Sequence, residues 1–279
     1  MPLATVNGIN LNYEILGTKG PSVALSPGGR RGMEGVQSLA QQVANAGYRV
    51  LIHDRRNCGA SDVAFDGDDS EYEIWADDLN ALLTQLKMAP AFVGGSSSGC
   101  RMSLLFGLRH PKSTRGLLLW RVTGGGLAAQ RLAKRYYGDM IEAAQKGGMA
   151  AICANEHFKE RIAERPINRE RLLQTDPQRF IAVMTHWNEY FVRGANQPVI
   201  GTSEEQIRSI KVPVCVVPGN DNSHPPEVAA NLSKLLPHAE LHPLVTKRYD
   251  MDVGPREEWD QKEGELAALF VDFMKRNST

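Results

Sequence analysis

The sequence is poor in cysteine, balanced in charge and free of long apolar runs. Its four cysteines form no C-x-x-C pair and keep no metal-like spacing with histidine, which argues against a disulfide framework and against a zinc site. Lys plus Arg and Asp plus Glu number 32 each, so no overall charge recruits nucleic acid or an anionic membrane. No stretch approaches the roughly 18 apolar residues of a membrane span. We therefore expect a small molecule as the partner.

The length of the chain and its first residues narrow the class further. At 279 residues the chain is longer than most single domains, but α/β folds reach this length as one core with an insertion. Residues 1–17 contain no basic segment followed by an apolar one, which is the pattern of a secretory signal. Together with the scattered cysteines, which we take to be reduced, this pattern predicts a cytoplasmic protein.

Short apolar runs alternate with helical patterns along most of the chain. The alternation of apolar and polar residues over 4–16, around Asn7-Gly8, predicts an antiparallel hairpin. Nearly continuous apolar runs predict buried parallel strands at Ser22 to Leu25, Arg49 to His53, Ala91 to Val93, Gly116 to Trp120, Pro213 to Val217 and Glu240 to Val245. Helical patterns lie between the strands, at about 35–46, 72–87, 99–109, 225–236 and 257–275. This order of elements predicts an α/β fold.

The alternation stops over residues 124–206, where the sequence is helix-like throughout. Three glycines at 124–126 mark the start of this segment, and polar residues 201–203 precede the next strand. We therefore predict a core made of residues 1–123 and 207–279, with an all-helical cap, residues 124–206, inserted after the sixth strand.

A serine in the pattern G-x-S-x-G ends the fifth predicted strand. Gly95-Ser96-Ser97-Ser98-Gly99 joins that strand directly to a helical pattern. The two glycines remove side chains where the backbone of a sharp strand-to-helix turn is crowded, so Ser97 presents its hydroxyl at the helix N-terminus. Only Ser97 has glycine two residues before it and two residues after it. We predict that Ser97 is a nucleophile, and a structural Gly/Ser turn is the alternative.

Two backbone amides are expected to face the hydroxyl of this serine. The Ser98 N–H begins the helix and points to the place where an oxyanion would form, and the helix dipole also favours negative charge there. A second donor is expected from the Gly-rich turn of residues 25–32, where Gly29 or Arg30 would supply it. These amides predict an oxyanion hole, and a flexible loop is the alternative for residues 25–32.

Residues 54–61, DRRNCGAS, follow the fourth strand and nearly match the pattern D-x-R-G-x-G-x-S. With the G-x-S-x-G turn, they make the chain similar to the α/β-hydrolase superfamily over almost its whole length. The resemblance implies an eight-stranded, mostly parallel sheet flanked by helices, a cap after the sixth strand and a triad in the order serine, acid, histidine. It places the acid after the seventh strand, where Asp221 ends a G-x-D sequence.

The histidine that the superfamily places after the last strand is missing from this chain. No histidine follows His242, and Arg248 or Tyr249 stands where the imidazole would be. A serine hydroxyl is a poor nucleophile until a neighbouring base takes its proton. Another residue must therefore supply the base, or the reaction is not ordinary acyl transfer.

His224 is the residue that we expect to replace the missing base. It lies three residues past the predicted acid, in a loop at the active-site edge of the sheet. We hypothesise a rearranged relay in which Ser97 attacks, His224 is the base, and one of three acids fixes its tautomer, namely Asp221, Asp250 or Asp252. The alternative is a structural histidine at a helix start, before Pro225.

Two further histidines, His157 and His186, belong to the predicted cap and could reach a substrate from above the serine. A lone histidine on a helix is more often packed or solvated. The histidines at 110, 238 and 242 are expected to be structural.

Arginines are concentrated in the segments that should ring the pocket, and a guanidinium grips a carboxylate in two places. Arg30 and Arg121 stand at strand C-termini, the ligand edge of open α/β sheets. Trp120, and Trp187 beside His186 in the cap, supply apolar surface. We therefore expect a small carboxylic acid with an apolar part as substrate. Superfamily members that cleave ring-fission products or enol lactones are similar in this respect.

These observations predict a serine hydrolase without cofactor or metal. It would cleave an ester, lactone, amide or activated C–C bond of a small anionic metabolite through an acyl-enzyme on Ser97. The rival is a non-hydrolytic lyase, isomerase or decarboxylase of the same fold, and a third reading is a catalytically silent ligand-binding protein. The sequence predicts no nucleic-acid or membrane partner and leaves a homodimer open.

Overall fold

The computed structural model describes residues 2–278 and contains one eight-stranded sheet in the order β1-β2-β4-β3-β5-β6-β7-β8. The strands are β1 (Leu3–Val6), β2 (Ile9–Leu16), β3 (Ser22–Ser26), β4 (Arg49–His53), β5 (Ala91–Ser96), β6 (Thr114–Trp120), β7 (Val214–Val217) and β8 (Ala239–Leu241). Strand β2 runs antiparallel to both of its neighbours, and every other pairing is parallel. The prediction of an eight-stranded, mostly parallel sheet is confirmed.

Helices cover both faces of the sheet. In the described residues they are α1 (Gln37–Asn45), α2 (Glu71–Gln85), α3 (Ser98–Arg109), α4 (Gly126–Ala133), α5 (Asp139–Ala154), α6 (Glu156–Glu164), α7 (Ile167–Gln174), α8 (Pro177–Arg193), α9 (Glu204–Ser209), α10 (Pro226–Leu235), α11 (Arg256–Gln261) and α12 (Glu263–Arg276). Successive strand residues point to opposite faces, so Leu117 and Leu119 join the core under α2 and α3, while Leu118 packs with α1 and α12. None of these helices is long and apolar enough to cross a membrane.

The insertion between β6 and β7 is helical, as predicted. Helices α4 to α9 fill it, and an isolated bridge between Val199 and Thr202 is its β pairing in the described residues. A π-helical turn, Lys134–Gly138, joins α4 to α5, and Gly147 and Gly148 interrupt α5. The exact limits of the cap, 124–206, remain a prediction.

Two elements near the C-terminus differ from the predicted ones. Strand β8 ends at Leu241 and not at Val245, because the chain beyond it turns to pair with the loop after β7, where the Tyr249 N–H donates to the Asn220 carbonyl. The single helix predicted over 257–275 is two helices, α11 and α12, because Lys262 has a non-helical backbone. The pairing brings the loop after β8 against the loop after β7.

Polar contacts fix part of the insertion to the loop that follows β4. The buried carboxylate of Asp62 accepts a hydrogen bond from Arg165 at 2.7 Å and forms an ion pair with Arg171 at 2.9 Å. The Asn168 side-chain amide donates to the Ser61 carbonyl at 2.9 Å. Because the interacting groups on the loop are buried, breaking these contacts is costly, and α6 and α7 are anchored to the core.

Candidate active site

Ser97 lies in the turn between β5 and α3, with φ of +55°, in the left-handed region that non-glycine residues seldom adopt. A Cβ on Gly95 would come within 2.4 Å of the Gly99 carbonyl carbon, and a Cβ on Gly99 within 2.5 Å of the Ser26 oxygen. Side chains at these two positions would therefore collide with backbone. The backbone forms the sharp strand-to-helix turn that the G-x-S-x-G pattern predicts.

Ser97, His224 and Asp221 form a continuous hydrogen-bonded relay. His224 Nε2 lies 2.8 Å from Ser97 Oγ, and His224 Nδ1 lies 2.7 Å from Asp221 Oδ1. The base and the acid share the loop after β7, which reaches the serine because β6 alone separates β7 from β5 in the sheet. Asp221 Oδ1 also accepts the backbone N–H groups of Ser223 and His224, at 3.0 and 2.9 Å. The loop thus wraps around the carboxylate and holds it against the imidazole.

The donors and acceptors of this relay are determined by its partners. A carboxylate only accepts, so the proton of the imidazole lies on Nδ1, and Nε2 is free to accept the proton of Ser97. Thr123 Oγ1 lies 3.0 Å from Ser97 Oγ. Since the single proton of Ser97 goes to His224, Thr123 is the donor in its contact with Ser97. The serine hydroxyl is therefore held toward its base.

The second oxygen of Asp221 has two further donors. Arg121 Nη2 lies 3.0 Å from Oδ2, and the Gly254 N–H donates to the same atom at 2.9 Å. Burial opposes ionisation of Asp221, but the hydrogen bonds from His224 and Gly254, with the charges of His224 and Arg121, outweigh it and hold the pKa of Asp221 well below its usual range. The acid is therefore a carboxylate at any pH at which the enzyme could work.

The imidazole of His224 is buried. Burial, together with the positive charges of Arg121 and Arg131, lowers the pKa of His224, while the contact with Asp221 acts in the opposite direction. The net direction favours the neutral imidazole at neutral pH. A neutral imidazole is the form that can accept the proton of a serine.

Two backbone amides beside Ser97 and its cavity have no backbone partner in the described residues, those of Ser98 and Gly29. Ser98 is the first residue of α3, so its N–H has no partner within the helix. The Gly29 N–H donates to no backbone group among residues 2–278, and the Gly29 carbonyl accepts from Ser98 Oγ at 2.6 Å and from Arg55 Nη2 at 2.8 Å. Arg55 Nη1 also donates to Ser98 Oγ at 3.1 Å. These contacts fix the orientation of the turn that carries Gly29.

The structure does not bring Asp250 or Asp252 to the imidazole, which corrects the alternatives that the sequence left open. Asp250 accepts from the Asn222 side chain at 3.0 Å, and Asp252 forms an ion pair with Arg131 at 3.0 Å. The loop after β8 approaches the acid through its backbone, at Gly254. Both aspartates therefore lie beside the relay without touching it.

A cavity of about 480 Å³ opens in front of Ser97, between the core and the insertion. Seven arginines and five acidic residues line it, so positive charge is in excess there. Among the lining arginines, Arg31 and Arg135 have no carboxylate within 4.0 Å in the described part of the chain. Glu34 and Glu263 are the lining acids without a cationic partner there. Two guanidinium groups are therefore available to an anionic ligand.

The two arginines that the sequence favoured for the substrate are already paired. Arg30 is 8% exposed, donates to Glu71 at 2.9 Å and stacks on two tyrosine rings. Arg121 is bound to the acid of the relay. Both line the cavity, but each has a carboxylate partner in the protein, unlike Arg31 and Arg135. The sequence placed arginines at the pocket without separating paired from unpaired ones.

Of the aromatic residues and histidines predicted to contact substrate, some line the cavity and others do not. Trp120 lines the cavity and packs against Phe270. Trp187 does not line it, because its ring is buried in the insertion and its Nε1 donates to the Asp69 carbonyl. His186 is exposed and also lies outside the cavity lining. The structure therefore places Trp187 and His186, which the sequence favoured for substrate contact, outside the cavity in front of Ser97.

His157 lines the cavity but is fully engaged in holding the insertion. Its Nε2 faces the Asn57 carbonyl at 3.0 Å and must donate, so Nδ1 is the acceptor for Arg161 Nη1 at 3.3 Å. Burial, and then the charges of Arg30 and Arg161, lower the pKa of His157 to about 3. His157 is thus a neutral histidine with no free nitrogen for Ser97.

Three residues of the site were missed by sequence reasoning. Thr123 follows β6, whose neighbour β5 carries the serine, so its position was a usable signal. Nothing in the sequence marks the π-helical turn that carries Arg135 and Tyr136. The Tyr136 hydroxyl lies 3.5 Å from where a Cβ on Gly29 would be, so the insertion reaches over the proposed oxyanion turn. Such π turns are frequent at functional sites.

Comparison with known proteins gives a family and several relatives. The sequence profile of the family described as serine aminopeptidase, S33, matches residues 19–221. The 2-hydroxy-6-oxononadienedioate/2-hydroxy-6-oxononatrienedioate hydrolase of Paraburkholderia phymatum is 27% identical over 245 residues, which cover 84% of this chain and 82% of that one. A non-heme chloroperoxidase of Kitasatospora aureofaciens is 27% identical over 251 residues, covering 86% and 89%.

Solved structures show the same architecture. The meta-cleavage product hydrolase from Pseudomonas fluorescens IP01 superimposes with a TM-score of 0.67 and 18% identity, covering 99% of this chain and 98% of that one. At this identity the likeness shows the fold alone.

Proposed function

Since this chain belongs to the serine aminopeptidase S33 family of α/β-hydrolase-fold hydrolases, we propose that it is a serine hydrolase in which Ser97 forms an acyl-enzyme with a small anionic substrate. The bond cleaved is an ester, lactone, amide or activated C–C bond. The observation that carries the proposal is the relay from Ser97 through His224 to Asp221, with contacts of 2.8 and 2.7 Å in the wall of the cavity. The four free cysteines support the cytoplasmic location that we propose with it.

Acylation begins with a proton transfer. His224 Nε2 takes the proton of Ser97 Oγ as the oxygen attacks the substrate carbonyl carbon, and Asp221 stabilises the imidazolium that forms. The negative charge that develops on the carbonyl oxygen is held by the N–H groups of Ser98 and Gly29. The tetrahedral intermediate then collapses, His224 gives its proton to the leaving group, and the acyl group stays on Ser97.

Deacylation repeats these steps with water as the nucleophile. His224 takes a proton from water, hydroxide adds to the acyl carbon, and the ester bond to Ser97 breaks as the proton returns to Oγ. Asp221 keeps the imidazole oriented through both halves, because its five hydrogen-bond contacts do not involve the substrate.

The proposed substrate carries a carboxylate. Arg31 and Arg135 line the cavity without carboxylate partners within 4.0 Å among residues 2–278, and guanidinium groups bind carboxylates in a planar, two-point contact. Trp120 and the apolar side chains of Leu132 and Met140 line the same cavity. The relative from Paraburkholderia phymatum is by its name a hydrolase of dioate substrates, which agrees with an anionic substrate for this chain.

Fluorophosphonate labelling tests the nucleophile and its base. We expect a single label on the wild-type protein, none on Ser97→Ala, and a rate at least about 1000-fold lower on His224→Ala, because an unactivated serine is a poor nucleophile. Tyr190→Phe is a control variant, since its hydroxyl binds the Gly201 carbonyl away from the cavity. A wild-type protein that resists labelling would reject the proposal and favour the lyase, isomerase, decarboxylase or binding readings.

A matched pair of esters tests the charge of the substrate. The p-nitrophenyl monoester of glutaric acid carries a carboxylate where p-nitrophenyl valerate carries a methyl group. We expect the wild-type protein to prefer the glutarate ester, and Arg31→Ala or Arg135→Ala to lower that preference roughly fivefold each, about 1 kcal/mol for a partly exposed contact. Arg115→Ala is the control, since Arg115 is exposed at the far end of β6. A preference for the valerate ester would contradict an anionic substrate.

A further inference from the structure

Arg121 has an unusual backbone at the start of the loop after β6. Its φ is +54°, in the left-handed region, and its N–H donates to the Val217 carbonyl at 3.0 Å, at the end of β7. A non-glycine residue in this region costs of order 1 kcal/mol and persists when the surroundings impose it. Backbone strain of this kind is concentrated at functional sites.

The two carboxylate oxygens of Asp221 have different side-chain partners, Arg121 and His224. Nη2 binds Asp221 Oδ2 at 3.0 Å, while Oδ1 serves His224. The Asp221 side chain is fully buried and that of Arg121 is 15% exposed, so solvent screens their interaction weakly. The guanidinium carbon lies 5.4 Å from the centre of the Trp259 ring. The relay therefore has a fourth member, a cation bound to its acid.

A cation in this place changes the balance of charge at the imidazole. The carboxylate of a triad stabilises the imidazolium, and a positive charge on the far side of that carboxylate offsets the effect. The other charges facing this region are Arg131 on α4, paired with Asp252 of the loop after β8, and Arg31 on the Gly-rich turn, close enough to affect Arg121. The imidazole of His224 thus contacts one carboxylate, that of Asp221, and is also influenced by the charges of two cations, Arg121 and Arg131.

We propose that Arg121 is a positioning residue that keeps Asp221 ionised and extends the working range of His224, as a neutral base, to lower pH. This inference rests on the proposed function, since it gives Arg121 a role in the activation of Ser97. The lowered pKa of His224, to which burial contributes most and Arg121 also contributes, has the direction that this role requires. The contact with Asp221 also explains why the Arg121 guanidinium is bound to protein and not free for substrate.

The pH dependence of fluorophosphonate labelling measures this role. The rate constant rises with pH as His224 loses its proton, so the acidic limb reports the pKa of the imidazole in the free enzyme. Arg121→Met removes the charge and the hydrogen bond, and Arg121→Gln removes the charge but can still donate an N–H to Asp221. We expect the limb to move to higher pH by about one unit in both variants, and to stay near the wild-type position in Arg121→Lys. Arg115→Met, at the other end of β6, should leave the limb in place.

Each outcome supports or overturns the role of Arg121. A limb that stays in place in Arg121→Gln overturns the inference, and so does a rise in KM for the glutarate ester without a shift of the limb, because that result makes Arg121 a substrate-binding residue. If Arg121→Met fails to fold, as circular dichroism would show, the Gln and Lys variants decide. If the wild-type protein is not labelled at any pH, the proposed function itself fails. That result differs from a failure of the role of Arg121, in which the wild-type protein is labelled and the variants show no shift.

Discussion

Replacing Asp221 with asparagine should remove most of the activity while leaving the fold in place. The side chains have the same shape, but asparagine offers one acceptor oxygen where aspartate offers two. In the wild-type protein Oδ1 accepts three hydrogen bonds and Oδ2 accepts two. An amide cannot accept from both groups of donors. The asparagine side chain can therefore take either of two orientations, and each of them lowers the activity.

The first outcome keeps the amide oxygen toward His224, which turns the NH₂ group toward the Gly254 N–H and the Arg121 guanidinium, so that donors face donors. The second outcome turns the NH₂ group toward Nδ1, which must then accept and forces the imidazole proton onto Nε2. A protonated Nε2 cannot accept the proton of Ser97. In both cases the charge that stabilises the imidazolium is lost, and such a change in a triad lowers kcat about 10⁴-fold, about 5.5 kcal/mol.

The second-order rate constant of fluorophosphonate labelling is the assay, with thermal unfolding to verify the fold. Asp250→Asn and Asp252→Asn are the matched controls, because these acids stood as alternatives in the sequence and contact Asn222 and Arg131 in the structure. We expect both controls to stay within about threefold of wild type, since neither acid touches the imidazole. An Asp221→Asn protein within tenfold of wild type, or a larger loss in Asp252→Asn, would refute the reasoning.

Two further predictions concern the support of the site. Ser98→Ala removes the 2.6 Å hydrogen bond to the Gly29 carbonyl and leaves Arg55 Nη1 without that acceptor. We therefore expect kcat to fall roughly tenfold with little change in KM. Steady-state kinetics on the glutarate ester measure both constants, and an unchanged kcat would contradict the role of this contact. Asp62→Ala removes the carboxylate partner of Arg165 and Arg171. The free energy of unfolding, measured by urea titration, should therefore fall by about 3 kcal/mol. A loss under about 1 kcal/mol would mean that these contacts hold the insertion less strongly than their burial indicates.

Most of the fold could be predicted because the signals are local. A buried strand is a short apolar run, and the sharp turn at Ser97 needs glycine at 95 and 99 because side chains there would collide with backbone. The end of β8 could not be predicted in this way. The residues after Leu241 are held by hydrogen bonds to the loop after β7, and such a long-range pairing leaves no periodic pattern in the sequence.

The candidate site was predictable where chemistry limits the choice of residue. A serine nucleophile needs a base, and His224 was the histidine at the correct edge of the sheet. The choice among three acids and among several arginines was not predictable, because it depends on which side chains meet in space. Arg30 and Arg31 are adjacent in the chain, yet Arg30 is buried against Glu71 while Arg31 is exposed in the cavity. Sequence distance carries no information on that difference.

The position of acid and base within one loop has a consequence for the rest of the chain. All three side chains of the relay precede residue 225, and the segment after β8 supplies a single backbone N–H to Asp221, from Gly254. Residues 242–253 therefore supply no side chain to the relay, and they support it through backbone pairing with Asn220, Asn222 and Ser223 of the loop after β7. The acid and the base lie within four consecutive residues, Asp221 to His224. A search for enzymes of this kind should therefore look for an aspartate and a histidine three residues apart after the seventh strand, and not for a histidine near the C-terminus.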